Sequence, residues 1–149
     1  MLFRSFFEQP VPQAQESELS KIDLPFCADE SVHDRHDIEA MGDAYSWVNI
    51  KLDKAGGLTE ALACVEMARA RRKKIMVGCM VATSLSMAPA FIVAQHADLV
   101  DLDGPLWLAQ DRDPGLVFDG ASLRPPRAAI LGNRREFECA DTCGDCVES

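Results

Sequence analysis

Several features that mark common protein classes are missing from this sequence. No apolar stretch approaches the roughly 18 residues of a membrane-spanning helix, and the segment from Met1 to Phe7 is too short for a signal peptide. The chain has no long basic tract, and its net charge is −9. We therefore expect a cytoplasmic protein that binds neither nucleic acid nor membranes.

Familiar catalytic motifs are missing as well. His33, His36 and His96 lack the helical pair spacing of a metalloprotease. There is no glycine-rich loop for phosphate binding, and no Ser-His-Asp order indicates a serine hydrolase. The three histidines are interpreted as structural or surface residues, so the catalytic candidates are acids and lysines.

The composition is that of an ordinary soluble domain, with 48% apolar and 26% charged residues. The 149 residues suffice for one domain, whereas a complete (β/α)8 barrel needs about 200 or more. Cys27, Cys64 and Cys79 lie in apolar segments, which is typical of small buried side chains in a reducing compartment.

Short apolar runs alternate with helix-like segments, which predicts a parallel sheet with right-handed crossovers. The predicted strands are 2–8, 26–29, 47–51, 75–78 and 99–101. The predicted helices are 16–21, 34–41, 59–72 and 85–95. Asp34 and Thr59 are expected to cap two of these helices, and Pro89 lies within the last. The segment 115–120 predicts a small hairpin or loop.

The segment 47–57 is the most informative part of the chain. With the period of a strand, its apolar and polar side chains point to opposite faces: Val48, Ile50 and Leu52 on one, Asn49, Lys51 and Asp53 on the other. The carboxyl end of a strand, where this lysine lies, is where (β/α) barrels have their catalytic residues. An antiparallel strand with one solvated face explains the same alternation.

Two carboxylates end short apolar runs upstream of Lys51. Glu8 ends the first run and Asp29 ends the second. Strand-end carboxylates in successive β/α units, followed by a strand-end lysine, suit a hard divalent cation with a base beside it. Taken singly, each acid is better explained as a loop cap or a solvated side chain, whereas the two in register before Lys51 favour a metal site. Glu30 is interpreted as a structural or supporting residue.

Together these segments resemble the enolase superfamily, in particular its muconate-lactonizing branch with a lysine acid/base. The segment 98–105, with Asp101 and Asp103 two residues apart, resembles the dipeptide epimerases of the L-Ala-D/L-Glu type. The resemblance extends over residues 6–131. It implies that residues 1–131 form the C-terminal part, about five β/α units, of an α/β fold of the (β/α)8-barrel type. Residues 132–149 are expected to form an acidic, cysteine-containing tail.

The resemblance also implies parts that we expect to be absent here. Family members carry an N-terminal capping domain and earlier barrel strands. Those strands bear a Lys-x-Lys pair and a metal-binding aspartate. The sequence starts just before the segment that matches the fourth barrel strand, so the second catalytic lysine and the third metal ligand are expected to be missing.

The reaction that the resemblance implies is a Mg²⁺-dependent 1,1-proton transfer at the α-carbon of a dipeptide, through an enolate intermediate. Glu8 and Asp29 match two metal ligands, and Lys51 matches the acid/base on one face of the substrate. Burial beside a divalent cation is expected to lower the pKa of Lys51. Lys54, offset by three residues along a strand, is expected to point away and to pack over the turn or pair with a surface acid.

The resemblance assigns substrate binding to the strand ends that follow. Asp101 and Asp103 match the pair that binds the free α-ammonium of a dipeptide, which suits two carboxylates. A calcium loop is excluded because a third acid and a glutamate at the twelfth position are missing. Cys79 and Met80 are predicted to line the pocket, although core packing explains both equally well.

Two other functional hypotheses remain open. A cycloisomerase or o-succinylbenzoate synthase would share the fold and the lysine but bind no substrate ammonium. Alternatively, the chain is inactive alone and needs a partner, either a second copy or a complementing N-terminal half. Half a barrel has two open strand edges and an uncovered apolar interior, which favours association.

Cys139, Cys143 and Cys146 form a separate cluster in the predicted tail. Thiolates at such spacing can bind zinc or an iron–sulfur cluster. A structural zinc site needs four ligands, and the tail contains no histidine. A flexible terminus is therefore the preferred interpretation.

Overall fold

A computed structural model describes residues 6–127 and residue 130 of the chain. Five short strands form one curled sheet in sequential order: β1 (Phe7–Glu8), β2 (Phe26–Ala28), β3 (Trp47–Ile50), β4 (Lys74–Val77) and β5 (Leu99–Val100). All four neighbouring pairs are parallel. This pairing excludes the antiparallel alternative for the strand before Lys51.

Helical segments connect the strands and cover one face of the sheet. The α-helices are α1 (Arg35–Ala40), α2 (Leu52–Ala55), α3 (Leu58–Ala70) and α4 (Ser84–Ala94), and 3₁₀ helices span Gln13–Lys21 and Gly104–Trp107. An antiparallel hairpin, β6 (Phe118–Asp119) and β7 (Ser122–Leu123), follows. The repeated β/α order confirms the prediction of a partial (β/α) barrel. No helix among these described residues has the length and apolar composition to cross a bilayer.

Several element boundaries differ from the prediction. The third strand ends at Ile50, because the chain turns at Lys51 into α2, a short helix that was not predicted. That helix ends at Gly56, whose φ of 76° is a left-handed conformation that favours glycine. Thr59 is not a cap: α3 begins one residue earlier, after Gly57.

The prediction for the α1 cap is confirmed. Asp34 precedes the helix in an extended conformation, and its side chain accepts hydrogen bonds from the backbone N–H groups of His36 and Asp37. The Asp37 carboxylate in turn accepts from the Asp34 N–H, which completes a reciprocal capping box. This arrangement satisfies N–H groups that the first turn of a helix leaves unpaired.

The sheet places apolar side chains against the helices and polar ones on its other face. Residues that alternate along the strands enter one buried apolar cluster with α1, α3 and α4: Phe26, Ala28, Val48, Ile50, Ile75 and Val77. Cys27 and Asn49 alternate with these residues and therefore lie on the opposite face. The strand register places Glu8 beside Cys27 on that same face.

Both outer strands of the sheet carry exposed apolar side chains. Phe7 on β1 is 53% exposed, and Leu99 and Val100 on β5 are 41% and 45% exposed. Within residues 6–127 and 130, neither strand has a second sheet neighbour. The sheet is thus open at both edges, as expected for part of a barrel.

Some predictions fall on residues that the structure does not describe. The first five residues, which include most of the predicted first strand, are among them. Cys139, Cys143 and Cys146 and the predicted 132–149 tail also lie outside the described residues.

Candidate functional site

The predicted site residues all lie at or directly after the carboxyl ends of the five strands. In sheet order they are Glu8, Asp29, Lys51, Cys79 with Met80, and Asp101 with Asp103. Because the strands are parallel, these positions share one edge of the sheet. This is the edge at which (β/α) barrels build their active sites.

Asp29 is the centre of the strongest interaction in the site. One carboxylate oxygen, Oδ2, lies 2.6 Å from Lys51 Nζ, and the other, Oδ1, lies 2.5 Å from Lys54 Nζ. The three side chains are only 10–13% exposed. The carboxylate is therefore held between two ammonium groups in a nearly water-free environment.

The placement of Lys54 corrects the sequence-based expectation. Its Nζ also donates to the backbone carbonyls of Asp29, at 2.5 Å, and Asn49, at 3.1 Å, so all three ammonium donors are used. The expected orientation of Lys54 assumed that extended geometry continues beyond the predicted strand 47–51, whereas Leu52–Ala55 form a helical turn. Residues three apart on a helix are neighbours, and the Gly56–Gly57 pair was the available signal for that turn.

The ionisation of this trio follows from burial and mutual charge. Burial acts to raise the pKa of Asp29, but hydrogen bonds from Lys51 and Lys54 outweigh it and hold the pKa below its usual value. Burial acts to lower the pKa of Lys51, yet the hydrogen bond and charge of Asp29 raise it overall. The expectation that burial beside a divalent cation lowers the pKa of Lys51 stays a prediction. For Lys54, burial prevails and the pKa is lowered.

Glu8 is held by a residue on a different strand. Asn49 Nδ2 on β3 donates to Glu8 Oε1 on β1 at 2.6 Å, across the intervening strand β2. Asn49 is 1% exposed, and its Oδ1 has no hydrogen-bond partner among the residues that the structure describes. An unsatisfied buried acceptor costs about 1–3 kcal/mol. Sequence analysis placed Asn49 on the correct face but did not identify this contact.

Gln9 supports the loop that carries Asp29. Its Oε1 accepts from the Asp29 backbone N–H at 2.9 Å, and its Nε2 donates to Ser31 Oγ at 2.9 Å and to Tyr45 Oη at 3.1 Å. The backbone of Gln9 has a φ of 35°, which is left-handed and unfavourable for a residue other than glycine. This supporting role of Gln9 was not predicted from the sequence, although Gln9 directly follows the predicted ligand Glu8.

Asp101 and Asp103 lie together at the end of β5, as predicted. Burial and then repulsion from Asp103 raise the pKa of Asp101, while the charge of Lys51 acts to lower it. Asp103 Oδ2 accepts a hydrogen bond from Trp107 Nε1 at 2.9 Å. Lys51 follows β3, two strands away from Asp101 along the same edge of the sheet.

The residues after β4 lie between the lysines and this acid pair. Cys79 is half-buried, and burial raises the pKa of its thiol, partly offset by the Gly104 backbone N–H. Cys79 packs against the apolar core, while Met80 is 46% exposed. Pocket lining by these two residues stays a prediction.

A cavity of about 440 Å³ opens beside Asp101 and Asp103, between α4 and the β6–β7 hairpin. Its other walls include Phe91, Leu106 and Phe118, so it combines an apolar lining with two carboxylates. Lys51 and Asp29 do not line it. The cavity therefore adjoins Asp101 and Asp103 and not the Lys51–Asp29 pair.

The oxygen ligands at this edge fit a magnesium ion in part. Within residues 6–127 and 130, no group of three or more His, Cys, Asp or Glu side chains is placed to hold a metal. Glu8 and Asp29 nevertheless offer two carboxylates at adjacent strand ends. Mg²⁺ commonly uses one or two carboxylates and completes its shell with water and substrate. The ammonium on each Asp29 oxygen shows that this carboxylate attracts cations.

Comparison with known proteins identifies the family. The family model described as enolase C-terminal domain-like matches residues 3–132. The chain therefore belongs to the enolase C-terminal domain-like family, as the sequence resemblance predicted. The fold and the strand-end residues agree with this assignment.

Individual relatives are epimerases and racemases. The L-Ala-D/L-Glu epimerase of Escherichia coli (strain K12) is 45% identical over 121 residues, which are 80% of this chain and 38% of that protein. The N-acetyl-D-glutamate racemase of a Pseudoalteromonas species is 40% identical over 133 residues, 88% of this chain and 42% of that protein. This chain thus spans about two fifths of the length of these relatives.

Solved structures give the same assignment. An enolase family member from Agrobacterium tumefaciens with homology to dipeptide epimerases, with bound sodium and L-Ala-L-Glu, has a TM-score of 0.82 at 51% identity. The match covers 86% of this chain and 40% of that one. A dipeptide epimerase from Cytophaga hutchinsonii, in complex with Mg and D-Ala-L-Val, has a TM-score of 0.74 at 28% identity and covers 82% and 36%.

Proposed function

We propose that this chain carries one proton-transfer lysine and two metal carboxylates of a Mg²⁺-dependent dipeptide epimerase. The substrate class is an L-Ala-D/L-Glu type dipeptide, and the reaction is a 1,1-proton transfer at the α-carbon of its C-terminal residue. One observation carries this proposal. Lys51 contacts Asp29 at the carboxyl-end edge of the sheet, where Glu8 also lies.

Glu8 and Asp29 are the residues that would hold the metal. When bound, Mg²⁺ supplies positive charge that stabilises the charge developing on the substrate carboxylate as the α-proton leaves. Asn49 holds one Glu8 oxygen, and Lys54 holds one Asp29 oxygen. The other Asp29 oxygen is held by Lys51, so a bound cation would have to compete with that lysine for it.

Lys51 is the group that would move the proton. Among the described residues its ammonium makes one hydrogen bond, to Asp29 Oδ2, whereas Lys54 has all three donors occupied. Lys51 is thus the lysine that can leave its partner and approach a substrate carbon. While it contacts Asp29 its raised pKa keeps it protonated, and loss of that contact favours the neutral amine that acts as a base.

Asp101 and Asp103 would select the substrate through its free ammonium group. Burial and then the charge of Asp103 raise the pKa of Asp101, and a cation bound beside both acids would offset their repulsion. The substrates in the names of two relatives differ in their amino group. L-Ala-D/L-Glu has a free amine, whereas the nitrogen of N-acetyl-D-glutamate is acetylated. A cycloisomerase would likewise not use these acids.

We expect the Asp103→Asn substitution to slow α-proton exchange in L-Ala-D-Glu by about 10- to 100-fold, because one charge-assisted hydrogen bond is lost. Exchange in N-acetyl-D-glutamate should not change, since that compound has no ammonium. Both rates are measured in D₂O by NMR, with Asp113→Asn as a control on the loop beyond the cavity. Equal effects on both substrates, or no effect, would overturn the dipeptide assignment.

The open sheet edges favour a partner for the chain. Phe7, Leu99 and Val100 expose apolar surface on strands that have no second neighbour among the described residues, and such edges pair with other strands. We expect the isolated chain to sediment as a species larger than a monomer, through a second copy or a complementing polypeptide. A monomer that unfolds cooperatively in a thermal melt would contradict this expectation.

A further inference from the structure

Asn49 makes a contact that packing alone does not explain. Its side chain is buried on the face of β3 that carries the site, and its Nδ2 lies 2.6 Å from Glu8 Oε1. A carboxylate only accepts hydrogen bonds, so the amide must turn its nitrogen towards Glu8. That orientation leaves Asn49 Oδ1 without a partner among residues 6–127 and 130.

Gly78 provides the space for this amide. A Cβ atom at Gly78 would lie 2.6 Å from Asn49 Oδ1 and 2.9 Å from Asn49 Nδ2. Real Cβ contacts are longer than this, so any side chain at position 78 would displace the amide. Gly78 follows the end of β4, directly beside the strand that carries Asn49.

The three residues therefore form one chain of contacts across the sheet. Gly78 leaves room for Asn49, and Asn49 fixes Glu8 from two strands away. A small apolar residue at position 49 would avoid the unpaired oxygen. Among the described residues, the Asn49 side chain makes one hydrogen bond, to Glu8. This bond explains why an amide occupies the position.

We propose that Asn49 is a positioning residue that orients the Glu8 carboxylate towards a bound divalent cation, and that Gly78 is required for that role. The inference rests on the proposed function, in which Glu8 is a metal ligand. Asn49 holds Oε1, and Oε2 is the Glu8 oxygen that would be available to a bound cation. Residues that orient a metal ligand typically change metal affinity by about 10- to 100-fold when they are replaced.

A double-mutant cycle tests the proposal. Mn²⁺ replaces Mg²⁺ as the probe, and its affinity is measured from the free-ion EPR signal for the parent chain, Asn49→Ala, Gly78→Ala and the double variant. Each single substitution should weaken Mn²⁺ binding by about 10- to 100-fold. The double variant should bind no more weakly than Asn49→Ala, because no amide remains to be displaced.

The outcomes separate this inference from the proposed function. Equal Mn²⁺ binding by all four proteins, or losses that simply add, would overturn the role of Asn49 and Gly78. No Mn²⁺ binding by the parent chain would overturn both the metal site and this inference. Circular dichroism confirms folding of each variant, and Asn49→Ser replaces Asn49→Ala if the latter does not fold.

A second measurement needs no metal. The side-chain amide of Asn49 is followed by ¹H–¹⁵N NMR in the parent chain, in Glu8→Ala and in Gly78→Ala. Both substitutions should shift this signal, since both disturb the bond to Glu8. An unchanged signal in Glu8→Ala would overturn the proposal.

Discussion

Replacing Lys51 with alanine is expected to slow deuterium exchange at the Glu α-carbon by about 100- to 10,000-fold, measured with whichever of L-Ala-D-Glu and L-Ala-L-Glu the parent chain exchanges. This range is typical for the loss of a positioned general acid or base. Within the described residues, Lys51 makes one hydrogen bond, and the neighbouring Lys54 has all three donors occupied, so Lys54 cannot readily replace it. The measurement is the decay of the α-proton signal in D₂O, with Mg²⁺ present.

Lys21→Ala is the matched control for this prediction. The Lys21 side chain is 69% exposed and pairs only with the similarly exposed Glu18, so its loss should leave the exchange rate unchanged. If Lys51→Ala exchanges as fast as the parent chain, another group abstracts the proton. If Lys51→Ala and Lys21→Ala slow exchange equally, the cause is the loss of a positive charge in general and not the loss of a base at position 51.

Replacing Asp29 with alanine is expected to lower the free energy of unfolding by about 3–5 kcal/mol. Removing one partner of a buried ion pair leaves an uncompensated buried charge, and here Lys51 and Lys54 would both lose their carboxylate. The change is measured from urea unfolding followed by circular dichroism. It would make Asp29 one of the most sensitive positions of the chain.

Two further variants identify the cause of this destabilisation. Asp43→Ala removes a fully exposed carboxylate that lies 3.9 Å from Lys73, and should leave the free energy of unfolding nearly unchanged. Asp29→Ala combined with Lys54→Met should recover part of the lost stability, because the buried ammonium is also removed. A double variant less stable than Asp29→Ala would show that packing, and not unpaired charge, is responsible.

The positions of the strand-end residues could be predicted because two regularities fix them. Period-two alternation identified the strand before Lys51, and the β/α alternation made the sheet parallel, so that Glu8, Asp29 and Lys51 had to meet at one edge. These regularities depend only on local sequence. They do not require knowledge of how the sheet curls.

The contacts between these residues could not be predicted in the same way. Lys54 joins Asp29 because a single helical turn interrupts the extended chain, and a four-residue helix leaves almost no periodic signal. Asn49 reaches Glu8 across an intervening strand, over 41 residues of sequence. Such a contact depends on sheet curvature and on the space above Gly78, neither of which a single sequence specifies.

The contact of Gln9 with the Asp29 loop could not be predicted either, for a related reason. Its side chain caps the loop at Asp29 only because the backbone takes a left-handed conformation at φ 35°. Sequence patterns assign that conformation to glycine first. A glutamine between a strand and a proline therefore gave no signal of its role.

The most direct test of this account is deuterium exchange by the parent chain, with both L-Ala-D-Glu and L-Ala-L-Glu and with or without Mg²⁺. The α-protons of the two epimers lie on opposite faces of the carbon, and Lys51 approaches from one side. The account predicts that the Glu α-proton signal of one epimer disappears and that this loss requires Mg²⁺. A folded chain that exchanges neither epimer, or that exchanges equally without Mg²⁺, would contradict it.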